Sequence, residues 1–286
     1  MCRRSIYFFL GTRTANAIYG NNGFGADTLA RPYVNALTGD EEFLSLAIPN
    51  FTGGYVSVAS SSRLTGWEVN VVGHLFDRSW FEIEGIFGWR YLMLNEGTRI
   101  NSMSMPLGNT VGDLKPDYYQ IADQIDASNR FFGGQIGFRT NIRRGGFFLE
   151  ATGKIAFGQT NEVVRIAGVS TIVGGDVYPI WARGGFFGQD SNTGRFTNSK
   201  FAYLPEGSIR IGFHSSDHSR FFVGYNFLYL SDVARPEAQL DRTINPNQFP
   251  MLNYPPIAGG PKRPEYKLVQ SDFWAQGLMI GFEYRY

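Results

Sequence analysis

A single cysteine, Cys2, stands in the 286-residue chain, so neither an internal disulfide nor a cysteine-rich metal site can form. Charged residues make up 18% of the sequence, fewer than the roughly 25% usual in soluble domains. The net charge of +1 leaves no basic stripe of the kind that nucleic acid demands, which excludes that class of partner. Although 43% of residues are hydrophobic, no run approaches the ~18 unbroken apolar residues of a membrane-spanning helix. A membrane barrel escapes that test, because only alternate residues of its strands meet lipid. Near the start, Ile6 to Leu10 follow Arg3 and Arg4. That apolar stretch is shorter than the ~7–15 residues of a signal peptide and has no small-residue cleavage site after it. It reads as the start of a strand.

Aromatic residues and glycine are abundant, with 25 Phe, 15 Tyr and 35 Gly, and the apolar residues alternate with polar ones. In Phe147 to Gly158 one face carries Phe147, Leu149, Ala151, Ile155 and Phe157, and the other carries Glu150, Thr152 and Lys154. Successive side chains of a strand point to opposite faces, so this is a half-apolar strand. Helical spacing would place Glu150 and Lys154 beside the phenylalanines. The same alternation recurs around Phe81 to Tyr91, Tyr203 to Phe213 and Trp274 to Tyr286. The pattern predicts strands over 4–13, 55–76, 79–100, 128–142, 147–167, 200–214, 220–233 and 271–286.

The links between these strands alternate in length. Asp77-Arg78, Arg143 to Gly146 and Ser215 to Ser219 are tight turns, while 14–54, 101–127, 168–199 and 234–270 are long. Short turns at one end and long loops at the other are the habit of outer-membrane barrels. Outward aromatic residues recur eight to ten positions apart (Phe147 and Phe157, Tyr203 and Phe213, Trp274 and Tyr284, Phe221 and Tyr229). That separation matches a tilted membrane strand of ~9–11 residues flanked by interfacial girdles. The expected fold is all-β: an antiparallel up-and-down transmembrane barrel, one domain over 1–286, with about eight strands visible.

If the apolar face meets lipid, the polar face lines a lumen. The lining set is Glu68 and His74, then Glu82, Glu84 and Arg90, then Arg139, Glu150 and Lys154, with Glu206, Arg210, Glu283 and Arg285 from the later strands. Both charge signs occur at similar depth, which fits either a constriction acting on solutes or ion pairs that fill a narrow barrel. Catalysis finds no support. His74 and His214 sit at strand ends, His218 lies in a tight turn, and no nucleophile–base or ligand spacing accompanies them, so neither an enzyme, a metal nor a cofactor is expected. The glycine pairs 133–134, 145–146 and 174–175 lack a strand–GxGxxG–helix setting and read as turns or strand packing. The proline-rich 234–270 link cannot be regular strand; it either folds inward as a constriction or stands outward as a contact surface. Aromatic residues in the other long links, such as Phe186 and Phe187, are expected to pack loop against loop.

The final strand MIGFEYRY, with Gly281, Tyr284 and Tyr286, resembles the C-terminal assembly signal of outer-membrane barrels, although Met279 stands where that pattern prefers a polar residue. Longer segments resemble one bacterial family, catalogued as the seventh putative β-barrel porin family. They are LARPYVNALTG at 29–39, GWRYLMLNEG at 88–97, NRFFGGQIGFR at 129–139, ATGKIAFG at 151–158, YNFLYLSDVARPEAQLDRTINPNQFP at 225–250 and SDFWAQGLMIGFEYRY at 271–286. The closing FWAQGL strand and the VARP…QLDRTINP stretch are the specific ones. The resemblance implies a bacterial outer-membrane barrel, porin-like by analogy, with no established substrate or catalytic residue to carry over. The leading expectation is passage of small polar solutes through the lumen, with outer-membrane lipid and the barrel assembly machinery as partners. The alternative is a non-conducting barrel acting through its long loops. Family members carry a signal peptide and further strands ahead of the segment that Ile6 to Gly11 resembles, so the barrel is expected to be incomplete at its N-terminal side.

Overall fold

The computed structural model describes residues 2–107, 118–173, 179–216, 218–253 and 255–284, with the side chains of 2 and 3 left aside. Eight long strands dominate: β1 (Cys2–Asn21), β4 (Thr52–Arg78), β5 (Phe81–Pro106), β6 (Tyr118–Arg144), β7 (Phe147–Val173), β9 (Gly194–Ser216), β10 (Ser219–Ala234) and β12 (Gln270–Tyr284). Each pairs antiparallel with the next in chain order, giving an up-and-down sheet that curls on itself. Short β8 (Ile180–Arg183) adds to the far end of β7. A second small sheet joins β2 (Leu29–Asn35) antiparallel to β3 (Glu41–Ala47) and parallel to β11 (Thr243–Ile244). The fold is thus an all-β antiparallel barrel sheet, as the alternation implied. Among the described residues β1 and β12 pair on one side only, with a cleft of about 360 Å³ between them.

The strands are longer than expected. β4, β6 and β7 each run 27 residues, where a bilayer needs ~9–11. The predicted ends at 100 and 167 were too early and the predicted start at 128 too late, and stretches assigned to long links (101–106, 118–127 and 194–199) are strand. The reason is an inversion of polarity along each strand. On β7 the outward residues are Phe147, Leu149, Ala151, Ile155 and Phe157, then Gln159, Asn161 and Arg165; the inward ones change from Glu150 and Lys154 to Val164 and Ile166. On β6 the outward face passes from Phe138, Ile136 and Phe132 to Arg130, Ser128 and Asp126, while Ile125 and Ile121 turn inward. The half near the short turns is apolar outside and polar inside; the other half is the reverse, as for a sheet standing in water around its own core.

That far core is built from chain that returns into the barrel mouth. Tyr33, Ile121, Phe186, Ile244 and Phe249 form one buried cluster, and Ile125, Ala127, Val164, Ile166 and Ala234 another. Phe196 stacks on Tyr266 at 3.7 Å between ring centres. Below them lies an apolar layer of Leu64, Leu92, Phe131, Ala156, Leu204, Leu228 and Leu230, against which Phe8 of β1 and Phe273 of β12 both pack. Contact of both end strands with one cluster shows how far the sheet curls.

Tight curvature places glycine where strands approach. Gly133 faces Gly158 across β6 and β7, and a Cβ on Gly133 would lie 2.2 Å from the carbonyl oxygen of Phe157. Outward Gly134 has nothing within 4 Å of its Cβ position. Overpacking of this kind costs about 1–3 kcal/mol or more. Gly133→Val is therefore expected to lower the heat-induced shift from compact to extended form on a gel, while Gly134→Val leaves it in place; equal behaviour of the two variants contradicts the close approach.

Candidate functional site: the charged interior

The inward polar residues of the lower barrel meet across strands in two groups. In the deeper group, Glu68 of β4 accepts hydrogen bonds from Lys154 Nζ of β7 and Gln135 Nε2 of β6, each at 2.9 Å, and pairs with Arg90 of β5. Lys154 also reaches Glu206 of β9 at 2.9 Å. Arg90 Nη2 faces Glu206 at ion-pair distance without hydrogen-bond alignment, and its guanidinium stacks over the ring of Phe8. Glu68 and Arg90 are almost fully buried. Two carboxylates and two cations from four strands thus form a neutral cross-link, and Lys154–Glu68 joins strands that are not neighbours in the sheet. Burial of charge at this depth requires such pairing.

Nearer the short turns, acid and base alternate around the wall. Glu84 of β5 accepts from Arg139 of β6 at 3.0 Å, Arg139 lies 3.7 Å from Glu150 of β7, and Glu150 pairs with Arg210 of β9. Arg210 lies 3.6 Å from Glu283 of β12, which accepts from Arg220 Nε of β10 at 2.8 Å. His74 Nδ1 lies 2.9 Å from Glu82, whose other oxygen accepts from Arg143 at 3.0 Å. His74, Glu82 and Glu84 could together offer three ligand atoms to a cation, but Arg139 and Arg143 already occupy those carboxylates. Arg210 and Arg220 stack on Phe222 and Phe148, and a cavity of about 250 Å³ remains among Glu84, Arg139, Glu150 and Arg220.

Above the apolar layer the interior is crossed again. Asn129 of β6 and Ala234 exchange two hydrogen bonds, each at 2.9 Å, between side-chain amide and backbone. Arg235 pairs with Glu96 of β5, and Thr98 donates to Glu237 at 2.9 Å. Higher still, Arg31 lies buried, bonded to Asp123 at 3.1 Å and to Ser102 at 3.0 Å, and stacked on Phe186 and Phe187. Burial lowers the Arg31 pKa from its usual value, and the Asp123 carboxylate opposes that shift. Asp123 also accepts from the Phe187 and Gly188 N–H groups. The 234–270 link, left open between inward and outward, therefore enters the barrel. Asp241 anchors its middle. Burial pushes that carboxyl up, but the Glu265 and Thr243 N–H groups and Arg263 outweigh it and hold the pKa below the ordinary carboxylate range.

A model of the family described as "Putative beta barrel porin-7 (BBP7)" matches residues 4–286. The chain belongs to this β-barrel porin family. No curated protein and no solved structure matches the chain. Membership of the porin family implies the outer membrane.

In this family member the structure brings Glu68, Arg90, Lys154 and Glu206 into one group and Glu84, Arg139, Glu150, Arg210 and Glu283 into the other. His74 and Glu82 stand at the rim. Arg285 and Tyr286 lie outside the described residues, as do 174–175. Gly281 lies under Phe222, and Tyr284 points outward beside His218. Arg220, Glu96 and Arg31–Asp123 were missed. Glu96 shares the face of Glu82 and Glu84 by simple parity and was legible. Arg31 and Asp123, 92 positions apart, carried no local signal.

Glu68→Gln leaves two buried cations with one partner, and breaking such a pair costs about 3–5 kcal/mol. Urea unfolding in detergent micelles should show that loss, and Glu68→Gln combined with Lys154→Met should recover part of it. An unchanged midpoint in the single variant contradicts the cross-link.

Proposed function

We propose that this chain is an outer-membrane, porin-like barrel held shut by its own interior, and that small polar solutes pass only when the segment 235–269 leaves the mouth. The observation that carries this reading is the tether of that segment across the lumen, through Arg235 with Glu96 and Glu237 with Thr98, while Asn129 holds Ala234 at its root. Such side-chain pairs are a release point: they bind charge and backbone that water could otherwise solvate once the segment moves. The polar inner wall below it, charged with both signs, suits passage of small polar solutes more than of apolar ones. In this reading 1–286 acts as one barrel domain, its closing strand engages the assembly machinery, and its lower outward face meets outer-membrane lipid. The edges of β1 and β12, each paired on one side among the described residues, require partners in a bilayer.

In planar bilayers the wild-type protein is expected to give rare, small current steps. Asn129→Ala with Glu96→Gln should make them more frequent. Silence from both wild type and variant sinks the porin reading and favours a structural barrel whose filled interior never opens.

Asp241 adds a pH dependence with a defined sign. A carboxyl whose folded pKa is depressed stabilises the folded arrangement above the unfolded value, about 3.9, and loses that contribution as pH falls through the lower folded value. Protease cleavage within 235–269 should therefore stay slow at neutral pH and accelerate below about pH 4. Asp241→Asn should be cut readily at pH 7. Resistance of that variant at neutral pH contradicts the anchoring role.

A further inference from the structure

The interior network explains most charges of the barrel wall, but not the arginines on its outside. Arg63 of β4, Arg130 of β6, Arg165 of β7 and Arg195 of β9 are exposed on the outward face and line one groove of about 440 Å³. Register places them on adjoining rows: Arg63 opposite Asn95, Asn95 opposite Ser128, and Arg165 directly opposite Arg195. Gly97 forms the floor, where a Cβ would lie 2.8 Å from Asp126 and 3.4 Å from Ser61. Among the described residues none of the four arginines forms an ion pair, including with Asp126, which accepts from Gln124 instead. Glu96, also at the groove, turns its carboxylate inward to Arg235.

The position of the groove is the second observation. It begins directly above the apolar band, on the long-loop side. Arg130 follows Phe132 on the same face of β6, and Arg63 stands just beyond Trp67, which packs against Tyr91 with ring centres 6.1 Å apart. Phe157 and Phe201 stack in the same tier. Aromatic rings of this kind sit at the headgroup level of a bilayer. The arginines therefore stand where headgroup phosphates lie, with planar donor forks suited to phosphate oxygens.

We propose that this groove is a binding site for the phosphate groups of an anionic lipid headgroup in the leaflet on the long-loop side. The proposal rests on the membrane-barrel reading and adds a lipid ligand to it. The acyl chains would run down the outward wall over Phe132, Ile136 and Phe157, while the arginines and the serine and asparagine side chains of the groove take the phosphates. The continuous join between apolar band and cationic groove favours a lipid over a free anion, which would need only the groove.

The test uses the full chain in bilayer discs. Insertion into discs of neutral phosphatidylcholine checks the membrane reading by itself; failure to insert overturns that reading and leaves no doubt about which claim failed. Inserted protein is then released into the gas phase after doping with a bisphosphorylated glycolipid or its dephosphorylated form. Preferential retention of the phosphorylated form is expected. Arg130→Gln with Arg165→Gln should weaken retention about thirtyfold, from roughly a fivefold loss per arginine near a charged surface. Arg78→Gln with Arg144→Gln, at the short-turn end, should leave it unchanged. Equal retention of the two lipids by the wild-type protein overturns the proposal without relying on any variant. Loss of bound lipid on adding millimolar inorganic phosphate overturns the lipid as occupant in favour of a free anion.

Discussion

Every backbone N–H and C=O that enters a bilayer must find a partner within the protein, because hydrocarbon offers none. The antiparallel ladder meets that demand for the strands between β1 and β12, each paired on both sides, and its period of two then dictates the side chains. Each residue faces either outward or inward, with no third option. From this follow the apolar outer band, the charges forced inward, and the need of those charges for partners at once. The alternation of Glu84, Arg139, Glu150 and Arg210 over neighbouring strands β5, β6, β7 and β9 is the direct result.

The same constraint explains why the pattern reverses. Past Phe157 on β7 and Phe132 on β6 the outer face carries Gln159, Asn161 and Arg130, which water solvates. The inner face then becomes the apolar one, covered by Tyr33, Phe186 and Phe249. One strand thereby serves two solvents in sequence. The arginines outside and the inward-folded 235–269 segment both belong to this second half, where the barrel wall is polar outside and wraps a buried apolar core.

Legibility in the sequence follows these physical divisions. The lower strands could be read because Phe147, Leu149 and Phe157 oppose Glu150 and Lys154 without interruption. The upper halves could not, since at Gln159 the period persists while the polarity changes sides, so that 118–127 looked like a link. The inward charged set was readable from parity alone, and Glu96 was within reach of the same argument. Which charges meet was not readable: Lys154 bridges to Glu68 across the interior, past β5 and β6, and that geometry depends on how tightly Gly133 and Gly158 let the sheet curl. The path of the proline-rich segment was likewise set by single distant partners, Asn129 and Glu96.

The central claim is that polarity inverts along continuous strands, so that lipid ends part-way up each one. Spin labels placed by cysteine substitution at Ile155, Phe157, Asn161 and Arg165 of β7, after Cys2→Ser, test this in bilayers through collision with oxygen and with a water-soluble nickel complex. The account predicts oxygen-dominated relaxation at 155 and 157 and nickel-dominated relaxation at 161 and 165. Uniform exposure to the water-soluble complex along all four positions would contradict it.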